Sequence, residues 1–130
     1  MRLVVHEDAA SDLDVIGKEN PLAGAIILAL LEELRCNPDA LDTLTDHKFG
    51  ERRDRDYSVS KWLEQWRKGN DLWRLKIWEL EDKGFLYRII YAYLPAPRSK
   101  YVVLGIPPRD FDYDANHPIA QRIFNAYRSL

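Results

Sequence analysis

The sequence of 130 residues predicts an α+β domain built on a small antiparallel sheet. Three segments have the side-chain patterns of strands, either alternation of apolar and polar residues or a high content of β-branched and aromatic ones: residues 72–80, 85–94 and 100–106. Residues 21–36 instead carry apolar side chains at the i, i+3, i+4 spacing of a helix packed on a core. A short apolar segment, residues 2–6, predicts a further strand. Helices that precede a run of strands are typical of the α+β class.

The first half predicts one strand followed by two paired helices. Residues 7–16 open with acidic side chains, which favour the N-terminus of a helix. Asn20 then suits a helix cap, and Pro21 suits the first helical position after it. Asn37-Pro38 ends this second helix. We expect the two helices to cover one face of the sheet.

The middle of the chain predicts an exposed loop and a short helix. Residues 39–56 are polar and rich in charges of both signs. Ser58 or Ser60 would cap a short helix that carries Trp62 and Trp66. The two tryptophans either fill an extension of the core or form a surface for a partner or a second copy.

The second half predicts a three-stranded meander and a final helix. Residues 81–84 have the composition of a turn, and residues 95–99 form the second short connection. Pro107 and Pro108 cannot continue a central strand. Residues 119–127 have the spacing of an amphipathic helix. The N-terminal strand would join the meander at an edge or in the centre.

Composition indicates a protein of the cytoplasm without a membrane segment. Hydrophobic residues make up 46% of the chain and charged residues 31%, which is ordinary for a globular domain. No apolar run approaches the roughly 18 residues that span a bilayer, and the N-terminus lacks the apolar region of a signal peptide. Cys36 is the single cysteine, so an internal disulfide is excluded, and we expect its thiol to be buried.

The net charge of −2 hides an asymmetry between the two halves. Residues 1–50 hold 4 basic and 10 acidic side chains, whereas residues 51–130 hold 15 basic and 11 acidic ones. Such a difference indicates either an anion-binding end or a solvated surface of mixed charge.

Basic side chains recur along the three predicted strands. Arg74 and Lys76 share one face of their strand by its two-residue periodicity. Arg88 stands among apolar residues, so it must pair with a carboxylate, meet an anionic ligand or reach solvent. Arg109 follows two prolines at the exit of the third strand. If the strands pair as neighbours, these cations converge on a site that suits several phosphates.

This ordered set of motifs resembles the RelE/ParE superfamily of bacterial toxins from type II toxin–antitoxin systems. A basic-X-basic strand is followed by a Tyr-Arg-hydrophobic-hydrophobic-Tyr strand, then by a strand that ends in arginine with a tyrosine beyond it. The resemblance implies one RelE-like domain over residues 1–130, with an insertion at about residues 42–70. Its fold would be a four-stranded, mostly antiparallel sheet with an N-terminal helical hairpin on one face and a C-terminal helix. The segments that carry the resemblance are residues 72–77, 84–91 and 102–109, with Tyr113.

RelE-like members of this superfamily are ribosome-dependent endoribonucleases that cut messenger RNA in the ribosomal A site without a metal. The 2′-hydroxyl attacks the adjacent phosphate, and fixed cations stabilise the phosphorane. The resemblance implies that Lys76 takes the hydroxyl proton and that Tyr113 stacks on a base or assists the leaving group. His117 is a second candidate acid, with a structural role as its alternative. The implied catalytic residues are Lys76, Arg88, Arg109 and Tyr113, and the implied substrate-binding residues are Arg74 and His117.

The resemblance also implies partners, and it leaves other functions open. No cofactor is expected, and the partners would be a cognate antitoxin, the ribosome and messenger RNA. A homodimer and a toxin–antitoxin hetero-oligomer are both open. A ParE-like member would instead inhibit DNA gyrase without chemistry, and a non-toxic member would be a binding module. The basic residues favour the nuclease, whereas the pI of about 5.9 favours the binding module.

Overall fold

Five strands and six α-helices lie in the residues that the computed structural model describes, namely 2–95, 99–108 and 110–130. The strands are β1 (Arg2–Val5), β2 (Tyr57–Lys61), β3 (Leu72–Ile77), β4 (Ile89–Leu94) and β5 (Lys100–Gly105). The helices are α1 (Glu7–Glu19), α2 (Pro21–Cys36), α3 (Pro38–Asp42), α4 (Leu63–Arg67), α5 (Trp78–Asp82) and α6 (Pro118–Arg128). None of these helices is long and apolar enough to cross a membrane.

The strands form one mixed sheet in the order β1-β5-β4-β3-β2. β1 pairs in parallel with β5, and the other three pairings are antiparallel. The α+β class and the meander of β3, β4 and β5 are therefore confirmed. The predicted number of four strands is wrong, because β2 adds a fifth strand at the edge beyond β3. Residues 96–98, in the second predicted connection, lie outside the described residues.

The edge strand β2 replaces the predicted start of a helix. Ser58 and Ser60 lie in the strand and cap no helix, and α4 begins only after Trp62. Val59 is fully buried, and its outer backbone groups bond to the chain at Lys48 and Phe49. The segment at residues 48–49 thus closes an edge that would otherwise be open to another strand.

The connection between β3 and β4 contains a helix instead of a hairpin turn. The predicted strand at residues 72–80 ends at Ile77, and α5 follows directly. The predicted strand at residues 85–94 begins only at Ile89. Arg88 therefore lies just before β4, and its predicted position in the middle of a strand is wrong.

Helices cover both faces of the sheet. α1 and α2 pack on the face that carries Trp73 and Leu75, as predicted for the paired helices. α6 packs on the opposite face, where Leu72, Ile90 and Leu104 are buried. Side chains alternate along a strand, so Arg74 and Lys76 lie on the α6 side.

Close packing fixes the helical hairpin and the last helix. A Cβ atom on Gly24 would lie 2.7 Å from the Cα atom of Gly17, so α2 approaches α1 closely where glycine stands. Arg122 of α6 binds both carboxylate oxygens of Asp12 in α1, and Asp12 Oδ2 also accepts a hydrogen bond from Ile106 N at 2.9 Å. These bonds anchor α6 beside the end of β5.

The structure differs from the sequence analysis at two places in the helical layer. α3 and a turn of 3₁₀ helix follow α2 where the sequence predicts no helix, and they bury Leu41 and Leu44. Residues 51–56 are exposed, as predicted for the charge run. The expectation of a buried Cys36 thiol is wrong: Cys36 is exposed because it lies on the outward side of α2, two residues after the buried Leu34.

Candidate anion-binding site

A small cavity of about 170 Å³ lies on the α6 side of the sheet. Four separate parts of the chain supply its walls, namely β2, β3, the segment before β4 and the segment between β5 and α6. Four of the six residues predicted for the site meet here. The described residues that line the cavity are Ser60, Arg74, Lys76, Arg88 and Tyr113.

Neighbouring side chains hold Arg74 in place on the floor of the cavity. The pairing of β2 with β3 puts Ser60 directly opposite Arg74, and Arg74 Nε donates to Ser60 Oγ at 3.0 Å. The guanidinium carbon lies 4.9 Å from the centroid of the Tyr113 ring. Among the described residues, no carboxylate forms an ion pair with Arg74. Its charge is therefore available to an anion in the cavity.

Lys76 is the second cation of β3. It shares the face of Arg74, and its side chain is half-buried. The Nζ atom lies 5.0 Å from the centroid of the Trp78 ring, which is a cation–π distance. Within the described part of the chain, Lys76 also has no carboxylate partner.

Arg88 differs because an acid already pairs with it. Arg88 Nη1 forms an ion pair with Glu81 Oε1, and the two side chains are 24% and 13% exposed. Nη1 also donates to the Tyr87 carbonyl at 3.3 Å. In the described residues, Nε and Nη2 have no protein partner, so the other edge of the guanidinium can donate two hydrogen bonds to an anion.

Glu81 and Ser60 are residues at the site that the sequence did not reveal. Residues 81–84 have turn composition, and only the short helix α5 brings the Glu81 side chain to Arg88. Of the three alternatives for Arg88, pairing with a carboxylate is the one that the structure shows.

Tyr113 closes the cavity with a protonated hydroxyl. Its backbone is in the left-handed region, with φ at 64°, which is uncommon for an aromatic residue. The ring packs against Trp62 at 5.3 Å and Phe111 at 4.9 Å between centroids. The hydroxyl is buried, and no described residue bonds to it. Burial raises the pKa of Tyr113 although the charges of Arg74 and Arg88 oppose this shift, so the hydroxyl is a proton donor at neutral pH.

Two predicted site residues remain, and the structure describes only one of them. Arg109 lies outside the described residues. His117 caps α6, where its Nδ1 atom accepts a hydrogen bond from Ile119 N at 3.1 Å. Its ring also packs against Phe111, with 5.3 Å between centroids. His117 therefore has a structural role as the cap of α6, which was the alternative to its role as an acid.

Of the tryptophans in the predicted insertion, Trp62 lies beside this site, whereas Trp66 packs on Trp73 on the opposite face of the sheet. Trp62 is 3% exposed and packs on Tyr113 and on Phe124 of α6, so it fills a core extension. Trp66 is half-buried, and its Nε1 atom donates to the Leu72 carbonyl at 3.0 Å.

The cavity carries three cations and one carboxylate, which leaves a net positive charge around a volume suited to one phosphate-sized group. The described residues contain no cluster of three or more His, Cys, Asp or Glu side chains that could hold a metal ion. The side chains present can bind an anion, stabilise added negative charge and donate a proton.

Comparisons with known proteins found no relative: no family model, no curated protein and no solved structure matches the chain. Fold and site together define an α+β protein with a small cationic cavity on one face of a five-stranded sheet.

Proposed function

We propose that this chain is a RelE-like toxin of a type II toxin–antitoxin system, a metal-independent endoribonuclease that cuts messenger RNA on the ribosome in the cytoplasm. One observation carries the proposal. Arg74, Lys76, Arg88 and Tyr113 come from three separate segments of the chain and line one cavity of phosphate size. These residue types supply the charge stabilisation and proton transfer that RNA cleavage by a 2′-hydroxyl needs.

In the proposed reaction, the 2′-oxygen forms a bond to the adjacent phosphorus and the bond to the 5′-oxygen breaks. Arg74 and Arg88 bind the non-bridging oxygens, where negative charge grows in the phosphorane. In this step Lys76 acts as the free amine, takes the proton of the attacking hydroxyl and becomes an ammonium group. Tyr113 donates its proton to the departing 5′-oxygen. The products are a 2′,3′-cyclic phosphate and a 5′-hydroxyl, so protons and charges balance.

The surroundings of Tyr113 favour proton donation over stacking on a base. Its ring already contacts Trp62, Phe111 and the Arg74 guanidinium. A nucleobase would have to displace one of these contacts. Its buried, protonated hydroxyl has no partner among the described residues, and a leaving oxygen would provide one.

Partners follow from the same proposal. The ribosome positions messenger RNA at the cavity, so cleavage of naked RNA is expected to be slow. A cognate antitoxin neutralises the toxin by covering the cations of the cavity. The alternatives, a gyrase inhibitor and a non-toxic binding module, have no specific observation in the structure that favours them.

Expression in bacteria from a tightly controlled promoter tests the proposal. The unaltered chain should arrest growth and leave messenger RNA cut in the A site. Arg88→Ala and Tyr113→Phe should each abolish arrest, since the loss of one charge-stabilising donor costs about 10²–10³ in rate. Arg35→Ala is the matched control, because Arg35 is exposed on α2 far from the cavity. Thermal unfolding of each variant shows whether it folds.

Other outcomes separate the competing functions. Growth arrest with DNA damage and intact messenger RNA would assign the chain to gyrase inhibition. Soluble, folded protein that causes no arrest would contradict both toxin functions and leave the binding module. Arrest that persists in Arg88→Ala and Tyr113→Phe would remove the cavity from the mechanism.

A further inference from the structure

The outward side of α2 is apolar and uncovered over residues 22–29. Leu22 and Leu28 are 51% and 49% exposed, and the exposed Ala25 and Ala29 lie beside them. The inward side of α2 already packs in the core through Ile27 and other apolar residues. A helix that is apolar on all sides is normally buried on all sides. This face, defined by Leu22, Ala25, Leu28 and Ala29 and called the α2 face below, therefore has the character of an interface.

Grooves run along both sides of the α2 face. A groove of about 780 Å³ lies between α2 and α5, with Ile26, Ile77 and Trp78 among its walls. A second groove of about 430 Å³ lies between α1 and α2 and includes Leu28. Ala25 borders both grooves, so the apolar strip is continuous across the helix.

The rim of the larger groove is acidic on balance, with four carboxylates and the single cation of Lys83 among its described lining residues. Glu33, Asp56 and Glu79 are three of these carboxylates, and in the described part of the chain none of them forms an ion pair. Asp82 also lines the groove, but it pairs with Arg53 at 2.6 Å. An apolar floor with unpaired carboxylates at its border is complementary to a surface that is apolar in the middle and basic at its edges.

The acidic rim also argues against other occupants. A nucleic acid or an anionic membrane would meet carboxylates of its own sign. In a twofold dimer the same patch faces itself, so the rim carboxylates of two copies would come together. A cationic helix meets neither objection, and the α2 face, from Leu22 to Ala29, runs for about 10 Å, which is two helical turns of contact.

We propose that the α2 face binds an amphipathic helix of a partner protein, with apolar residues at i, i+3, i+4 and i+7 and with Lys or Arg at its flanks. This face lies on the side of the sheet opposite Arg74 and Lys76. A partner bound there leaves the cationic cavity open. The proposal is thus independent of nuclease activity, and either one can fail without the other.

Fluorescence anisotropy with the full chain tests this proposal. The probes are labelled 18-residue helical peptides with Leu at the apolar positions and Lys and Arg at the flanks, and a matched set has Glu in place of every basic residue. We expect the basic peptides to bind at least tenfold more tightly than the acidic ones, and added salt should weaken their binding. Leu28→Gln should weaken binding at least fivefold, and Glu33→Gln with Glu79→Gln should reduce the preference for basic peptides.

Leu63→Gln provides the matched control, because Leu63 is 48% exposed on α4 rather than on α2. Equal loss of binding in Leu63→Gln, equal affinity for acidic peptides, or no binding of any basic peptide would overturn the proposal. Light scattering completes the test. A dimer of the chain alone that Leu28→Gln dissociates would assign the α2 face to a second copy and would also overturn it.

Discussion

Glu81→Gln should tighten the binding of a phosphate group to the cavity. Glu81 pairs with Arg88, a lining residue of the cavity, so a bound anion shares Arg88 with a carboxylate. Glutamine has nearly the same shape and keeps an oxygen acceptor for Arg88 Nη1, but it removes the negative charge. The substitution therefore separates the electrostatic effect of Glu81 from its role in holding Arg88.

The size of the effect follows from the geometry of a shared guanidinium. An anion on the free edge of Arg88 lies across the group from Glu81, at roughly 6–7 Å. Two unit charges at that separation repel each other by about 1–2 kcal/mol at an effective dielectric constant of about 30–50, a range for a site partly open to water. Removal of the carboxylate should therefore lower the Kd about 5- to 30-fold.

Calorimetry with a short oligonucleotide that lacks the 2′-hydroxyl measures this change, because such a ligand binds without being cut. Asp82→Asn is the matched control: it removes a carboxylate from the same helix, but Asp82 pairs with Arg53 at an exposed position. Its Kd should stay within about twofold of the wild-type value. Unchanged or weaker binding in Glu81→Gln would show that Glu81 serves only to position Arg88, and it would contradict the predicted repulsion between Glu81 and a bound anion.

Three further predictions concern stability, measured as the free energy of unfolding in urea. Gly24→Ala should destabilise the fold by about 1–3 kcal/mol, since the new Cβ atom would lie 2.7 Å from the Gly17 Cα atom. Gly17→Ala should instead stabilise α1 by about 0.5–1 kcal/mol, because no atom lies within 4 Å of its new Cβ atom and alanine favours a helix more than glycine does. His47 Nδ1 accepts from Lys61 N, and burial and nearby lysines lower the His47 pKa, so stability should fall as the pH drops below about 6.5. His47→Gln should flatten that decline, and an unchanged pH profile would contradict the assignment. Tyr91→Phe should cost about 1–3 kcal/mol by leaving a buried carbonyl unpaired. Because burial raises the Tyr91 pKa, wild-type stability should also fall as the pH rises above about 10, and this variant should lose part of that fall.

Local patterns in the sequence predicted the parts of the fold that local interactions determine. Asn20 caps α2 as expected, and its side chain accepts a hydrogen bond from Ala23 N at 3.2 Å. Contacts between residues far apart in the sequence determine the parts of the fold that were predicted wrongly. α5 begins where Trp78 N donates to the Asp56 carbonyl and Trp78 Nε1 to the Gly50 carbonyl. Neither hydrogen bond can be read from residues 72–80, because the strand-like alternation of apolar and polar side chains continues past Ile77 in the sequence.

The residues of the site fall into the same two groups, those that a local pattern predicts and those that depend on distant contacts. Arg74 and Lys76 follow from the two-residue period of a strand, and this period holds through Ile77. Ser60 and Glu81 depend on β2 and α5, the two elements that the sequence did not predict, so their contacts with the arginines could not be foreseen. A serine opposite an arginine becomes a signal only once strand register is known.

The distribution of charge in the fold explains how an acidic protein can hold a cationic site. The acidic first half contributes β1 and the helical layer of α1 and α2, whereas the basic second half contributes the other four strands and α6. The helical layer and the cavity lie on opposite faces of the sheet. An anion that approaches the cavity therefore meets mainly Arg74, Lys76 and Arg88 rather than the net charge of −2. The pI thus says little about local anion binding. It does limit how many phosphates the surface around the cavity can neutralise, so the proposed docking on RNA would depend on contacts supplied by the ribosome.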